Sequence, residues 1–305
     1  MKKYNKPFLS FDEQVELLAS RGIKIDDKKE AASFLSKVNY YKFSGYTLFF
    51  ETKDNNSMER THVYSKGTSF EMIRRLYNFD KDLRFLVYKA LQDIEVAVKT
   101  NFAYILAQNK GPFVLYDEAN FYDVKKYKEI LAQIEEAVAK NKNEQFIAHH
   151  LKKYVGNKIP IWAIVEILTF GTVSYIYQHL NDDLKTRIGK EKDFHPTIYT
   201  SWLRALSVTR NICAHNARLW NSRKGRPLII KSNKDKAWDI NLSPKSFGLT
   251  LFCIKEMQRK HNIKNSVWKK EIENLINGFN CSYREKFLQA MGLFEGWEKS
   301  KLWER

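Results

Sequence analysis

Apolar residues recur at three- and four-residue spacing along most of this 305-residue chain, the period of amphipathic helices rather than of strands. The clearest run opens after Ser69. Phe70, Ile73, Leu76, Tyr77, Leu83, Leu86 and Val87 lead on through Leu91, Ile94, Val98, Phe102 and Ile105 to Gln108, and Gly111-Pro112 stops the pattern. That predicts a helix of about 40 residues, long enough to be the spine of a bundle, with Asn78–Asp80 as the place for a kink.

Upstream, Ser10 and Glu13 have the spacing of a capping box ahead of Val15, Leu17 and Leu18, and Arg21-Gly22 closes that helix. Asp26 and Asp27 open a second helix through Ala31, Phe34, Leu35 and Val38. An aromatic cluster from Asn39 to Tyr46 ends in a turn, and residues 51–68 read as a loop or short hairpin. Downstream, one or two amphipathic helices fall in 124–154, a buried helix in Ile161–Leu180 and another in Thr197–Leu219. Residues 223–243 form a basic loop with a short strand at Leu228-Ile229-Ile230, and 244–261 and 282–291 are helical again. Only 12 Gly and 6 Pro argue against turn-rich β architectures. The fold class is all-α: an N-terminal helical region over 1–68, a helical core over 69–225, and a basic loop with a mostly helical C-terminal region over 226–305.

Charge changes the picture next. Fifty-two Lys and Arg against 35 Asp and Glu leave a net +17, a field that attracts polyanions. Charge alone does not choose among RNA, DNA and an anionic membrane. The longest apolar run, Ile159 to Tyr177, carries Pro160, Glu166 and Gly171 and suits a core helix better than a membrane span. Three cysteines, Cys213, Cys253 and Cys281, form no C-x-x-C pair, and no signal-peptide core follows the N-terminus. A reducing, cytoplasmic setting is expected.

The candidate chemistry sits in Arg210-Asn211-Ile212-Cys213-Ala214-His215-Asn216-Ala217-Arg218. At 100° per residue, Arg204, Ser207, Asn211, His215 and Arg218 fall within roughly 80° of one another. Leu203, Leu206 and Cys213 point elsewhere, toward a core. Arg210 lies at the edge of this polar stripe, with a side chain long enough to swing toward it. Arginine neutralises phosphate charge and histidine moves protons near neutral pH. Together they suffice for transesterification of RNA with no cofactor and no metal. His215 would take the 2′-OH proton or give one to the departing 5′-oxygen, Arg210 would stabilise charge developing on phosphorus, and Asn211 would orient either. The products are a 2′,3′-cyclic phosphate and a free 5′-hydroxyl, and DNA, lacking the 2′-OH, is refractory. A bare Arg-x4–6-His pattern carries little information, since about one match arises by chance in a chain with this many Arg and His. The information lies in the surrounding residues.

Those residues resemble a known family. Arg210-Asn211-Ile212-Cys213-Ala214-His215 looks like the Arg-x4–6-His motif of HEPN ribonucleases, and the longer string resembles the Abi-like family of abortive-infection proteins, the AbiD and AbiF types among them. Gln14–Leu18 with Arg21-Gly22, Tyr40–Tyr46, Leu76–Asp80 with Leu83-Arg84, Asp93–Ala97, and Pro160–Gly171 with Trp162 and Glu166 also fit, so the resemblance runs from about residue 10 to 223. It implies a HEPN-like helical bundle, phage defence by damage to RNA, and a homodimer whose two motif copies share a cleft. A small noncoding RNA that restrains the protein is a further implied partner, alongside substrate RNA and with no membrane.

Around the motif, Arg204, Ser207, Asn216, Arg218, Arg223, Arg226 and Lys231 are candidate RNA contacts, the last three within a basic loop that is otherwise simply solvated. Glu166 reads either as a buried carboxylate paired with an arginine or as a support for Arg210 or His215. Glu95, a lone acid between Ile94 and Val96, has the same two readings. His149-His150 reads as a surface pair without a zinc set. The aromatics of Tyr40–Tyr46 fit core packing better than base stacking.

Overall fold

The computed structural model describes residues 7–52, 60–156, 158–223, 228–229, 242–279 and 281–305. Among them stand fourteen α-helices and only isolated bridges of β type, so the protein is all-α. The chain divides into two compact units, one up to Asp82 and one from Leu83.

In the first unit, α1 (Phe11–Ser20) begins with the expected capping box. Ser10 Oγ accepts from the Glu13 amide at 3.3 Å, and the Glu13 carboxylate accepts from the Ser10 amide at 2.7 Å. Asp27 caps α2 (Lys28–Lys37), which packs against α1. The aromatic cluster is itself a helix, α3 (Tyr40–Thr47), rather than the approach to a turn. Asn39 caps it, and Phe43 and Tyr46, one turn apart, are both buried. The Phe43 and Phe70 rings lie 4.7 Å apart, and the Tyr46 hydroxyl donates to the buried Asp80 carboxylate at 2.6 Å. A buried acid needs such a donor, because leaving its oxygens unpaired costs more than the bond gains. Tyr41 alone of this cluster's rings stands fully out to solvent. An antiparallel bridge joins Glu51 and Tyr64.

The long periodic run is one 41-residue helix, α4 (Phe70–Lys110). Gly111, at φ +81°, ends it by donating its amide to Ala107 O at 2.8 Å, a backbone geometry that L side chains resist. The second unit continues through α5 (Val124–Lys140) and α6 (Gln145–Lys153). The expected single helix over Ile161–Leu180 is two, α7 (Ile161–Ile167) and α8 (Phe170–His179). They break because Leu168 and Thr169 are extended and the Thr169 hydroxyl accepts from the Thr172 amide, starting a new helix. Next come α9 (Asp182–Glu191), which the hydrophobic period did not announce, and α10 (Pro196–Ala214), which carries the motif. After it stand α11 (Phe247–Lys260), α12 (Ser266–Gly278), also unannounced, α13 (Arg284–Met291) and the short α14 (Lys301–Glu304). Leu228 and Ile229 are not in a strand, and Ile230 lies outside the described residues.

Helix α10 packs chiefly on α8, with α9 and α11 on its flanks. Its buried face is Tyr199, Trp202, Leu203, Ala205, Leu206, Ile212 and Cys213. Each large apolar side chain removed from water there contributes about 1.5–3 kcal/mol. That face fixes which way the remaining residues of α10 point.

Candidate active site

The helix that bears the motif stops sooner than its hydrophobic period suggests. Asn216 takes a left-handed conformation at φ +53°. Its amide donates to Cys213 O at 3.1 Å, and the Ala217 amide donates to Ile212 O at 2.9 Å. These two bonds make a Schellman end, with Asn in the place usually held by Gly. His215 is therefore the cap residue rather than a mid-helix one, and Arg218 does not continue the stripe. Leu219 and Trp220 then plunge into the core, where the Trp220 ring stacks on Phe287 at 5.5 Å. The turn is thus held from both sides, and it presents His215 outward.

Arg210 is not a free surface cation. Its Nε donates to Glu95 Oε2 at 3.2 Å, its Nη1 donates to Asn211 Oδ1 at 3.4 Å, and its guanidinium lies 5.9 Å from the Tyr88 ring centre. The Glu95 carboxylate is shared with Lys99 at 3.0 Å. Side-chain exposures of 11% for Glu95, 12% for Lys99 and 29% for Arg210 put the carboxylate inside and the guanidinium at the mouth. One acid thus serves two bases, and the cluster keeps a net positive charge. Tyr88, Glu95 and Lys99 stand seven and four residues apart on α4, one face of that helix. Of the two readings of Glu95, the structure shows the contact with the motif arginine. Lys99 and Tyr88 escaped the sequence reading, although Glu95-x3-Lys99 is an ordinary i, i+4 pair.

Beyond this cluster, Asn211 and His215 are exposed on the same side of the helix end. The Asn211 carbonyl oxygen accepts from Arg210, and its amide nitrogen, a donor, has no partner among the described residues. The His215 imidazole makes no hydrogen bond among the described residues. Arg210 and His215 do not bond each other; Asn211 stands between them.

The other candidates separate. Asn216 and Arg223 are exposed and Arg218 is half-buried. Ser207 is buried, its hydroxyl donating to Arg204 O at 2.9 Å, which closes it to solvent. Arg204 lies nearer the start of α10, in a groove with Lys185. Arg226 and Lys231 lie outside the described residues. Glu166 is exposed, not a buried partner of an arginine, and makes no bond to Arg210 or His215. The break after α7 leaves it on that helix's outer face, one turn from Trp162. With Trp162, Tyr104 and Thr100 it lines a shallow groove of about 430 Å³. Among the described residues, no cluster of His, Cys, Asp and Glu is arranged to hold a metal ion. None of their helices is long and apolar enough to cross a membrane.

Fold and site together define an all-helical protein with an Arg-x4-His helix end braced from a long neighbouring helix. The chain belongs to the Abi-like protein family, with a match over residues 33–221, a membership that points to abortive-infection defence. The match runs from within α2 to Asn221 and leaves out the N-terminal segment Gln14–Gly22, whose resemblance it does not cover. No curated protein and no solved structure gives a match.

Proposed function

We propose that the protein is a metal-independent endoribonuclease toxin of an abortive-infection system, with the Arg210–His215 end of α10 as one half of its active site. The observation that carries the reading is a braced arginine and, about a turn further on, a histidine that makes no hydrogen bond among the described residues. Glu95 and Asn211 fix the Arg210 guanidinium at the mouth of the cluster, where a phosphate meets it without a search for the right geometry. His215, one turn on and open to solvent, moves the proton between the 2′-OH and the leaving 5′-oxygen. Asn211 offers its amide to the same phosphate.

Because Arg210 and His215 do not meet within one chain, a second copy completes the cleft. The surface beside the cluster suits that role. Val96, Tyr104 and Trp162 are exposed apolar side chains, and Val96 and Thr100 adjoin Glu95 and Lys99 directly in sequence. Val96, Thr100 and Tyr104 recur at four-residue spacing on one face of α4, and an exposed apolar face marks protein contacts. A homodimer formed there sets two Arg-x4-His helix ends around one RNA strand. The net charge of +17 draws that strand in, and a small noncoding RNA bound in the same cleft would hold the toxin in check.

Purified protein should cut single-stranded RNA in EDTA, leaving a 2′,3′-cyclic phosphate, and a deoxyribose at the cleaved position should block the cut. His215→Ala should abolish cleavage and cellular toxicity, and cleavage that persists in that variant would overturn the assignment. One feature favours a second reading. The Arg210 guanidinium is already engaged by a carboxylate, which suits a protein that holds a regulatory RNA without cutting it. Tight co-purification with one small RNA, and no cleavage by the stripped protein, would decide for that reading.

A further inference from the structure

Helix α10 has a second basic place, far from its catalytic end. A groove of about 310 Å³ lies beside its first turns, within the size range of small-ligand sites. Its cations are Arg204 and Lys185, the latter from α9. Thr197, Thr200, Ser201, Gln178 and one acid, Asp182, supply the rest of its polar lining.

The wall is built rather than incidental. Ile229 is clamped onto α10 by its own backbone: its amide donates to Ser201 Oγ at 2.9 Å, and its carbonyl accepts from Trp202 Nε1 at 2.9 Å. With its oxygen so used, Ser201 keeps its hydroxyl proton to give. The Arg204 guanidinium has no carboxylate partner among the described residues. Lys185, itself largely buried, is held by Asp182 at 2.7 Å and lies 5.3 Å from the Tyr122 ring centre, while the Asp182 side chain is almost wholly exposed. Water screens the carboxylate end of that pair, so a phosphate oxygen can take its place. The groove therefore offers several donors and two cations against one carboxylate on its rim. That balance fits an anion.

Arg204 and Asn211 are seven residues apart, within roughly 20° of one another around the helix, and Arg204 lies about 16 Å along the axis from His215. Ser207, buried between them, keeps the two places separate. We infer that the Arg204–Lys185 groove is a distinct phosphate subsite, which grips the backbone of the RNA strand a few nucleotides away from the bond presented to His215. The inference rests on the RNA-directed reading of this protein but not on its cutting RNA.

The test uses full-length protein and a labelled single-stranded 2′-O-methyl RNA, which binds but resists 2′-OH attack. Binding is followed by fluorescence anisotropy from 50 to 200 mM salt. Each phosphate contact on a single strand contributes about 0.7 to the slope of log affinity against log salt, so losing two flattens it by about 1.4. Over that fourfold salt range, wild-type affinity should fall about seven-fold further than that of the Arg204→Gln/Lys185→Gln variant. Arg204→Lys should keep the wild-type slope, and Asp182→Asn should tighten binding. Equal slopes in wild type and the double variant, with both folded by circular dichroism, would overturn the subsite, as would weaker binding by Asp182→Asn. A flattened slope in a protein that never cuts unmodified RNA would sustain the subsite and sink the ribonuclease. Cleavage with an unchanged slope would do the reverse.

Discussion

Glu95→Gln is the substitution that most directly questions the site's architecture. It keeps the shape of the side chain and removes the charge that Arg210 and Lys99 share. At 3.2 Å and an effective dielectric of about 20, the Arg210–Glu95 attraction is about 5 kcal/mol before desolvation is subtracted. Exposed ion pairs retain about 0.2–1 kcal/mol net, whereas breaking a fully buried one costs about 3–5. With the carboxylate inside and the guanidinium partly out, the cost here should be about 2 kcal/mol, most of it from two cations left facing each other. For a unit of this size that lowers Tm by about 4–8 °C. A double-mutant cycle with Arg210→Gln isolates the pair and should give a coupling of about 1–2 kcal/mol. In a cleavage assay, kcat should fall about tenfold or more with KM little changed, because the arginine is misaimed rather than lost. Glu95→Asp, still anionic, should recover part of the loss. A coupling below about 0.3 kcal/mol would refute the idea that Glu95 holds Arg210 in place.

Asn216→Ala should cost about 1–2 kcal/mol, the strain of a β-carbon in the left-handed region, while Asn216→Gly should be neutral or stabilising; thermal melts distinguish them. Trp220→Ala should cost about 3–5 kcal/mol in denaturant titration, since the ring is fully buried on Phe287. Burial beside Tyr199 pushes His261 down to about 4, so the folded state resists its protonation. Stability should therefore be constant above about pH 6.5 and fall as pH drops toward 4, by up to about 3 kcal/mol. His261→Gln should flatten that acid limb, and an unchanged pH profile would exclude His261 as its source.

The division between what was readable and what was not follows the range of the interactions. The capping box at Ser10 and Glu13 is settled within four residues of chain, and so it stands in the structure as the residues spell it. Helix α4 could be read over its whole length because its core face repeats without a break. Hydrophobicity alone predicts a single helix over Ile161–Leu180 because both halves are apolar; a threonine cap, not a change in hydrophobicity, divides them. Helix α9 is only ten residues long and largely polar, too short a run with too few apolar positions to announce itself. Glu166 and Glu95 look alike in sequence, each a lone acid among apolar neighbours. One faces solvent beside Trp162 and the other holds the motif arginine, a difference set by which face each helix buries.

By itself, the sequence determined the all-helical class, the capping and period of its longer helices, its basic field, and the presence of Arg210, Asn211 and His215 within one short stretch. Each depends on neighbours close in the chain or on composition. Only the tertiary structure decided that the helix ends at Ala214, that Ser207 is closed off, and that Arg210 is aimed by an acid 115 residues away. A periodic pattern says which residues share a face; packing says what that face meets, and burial makes the meeting strong enough to hold an arginine still.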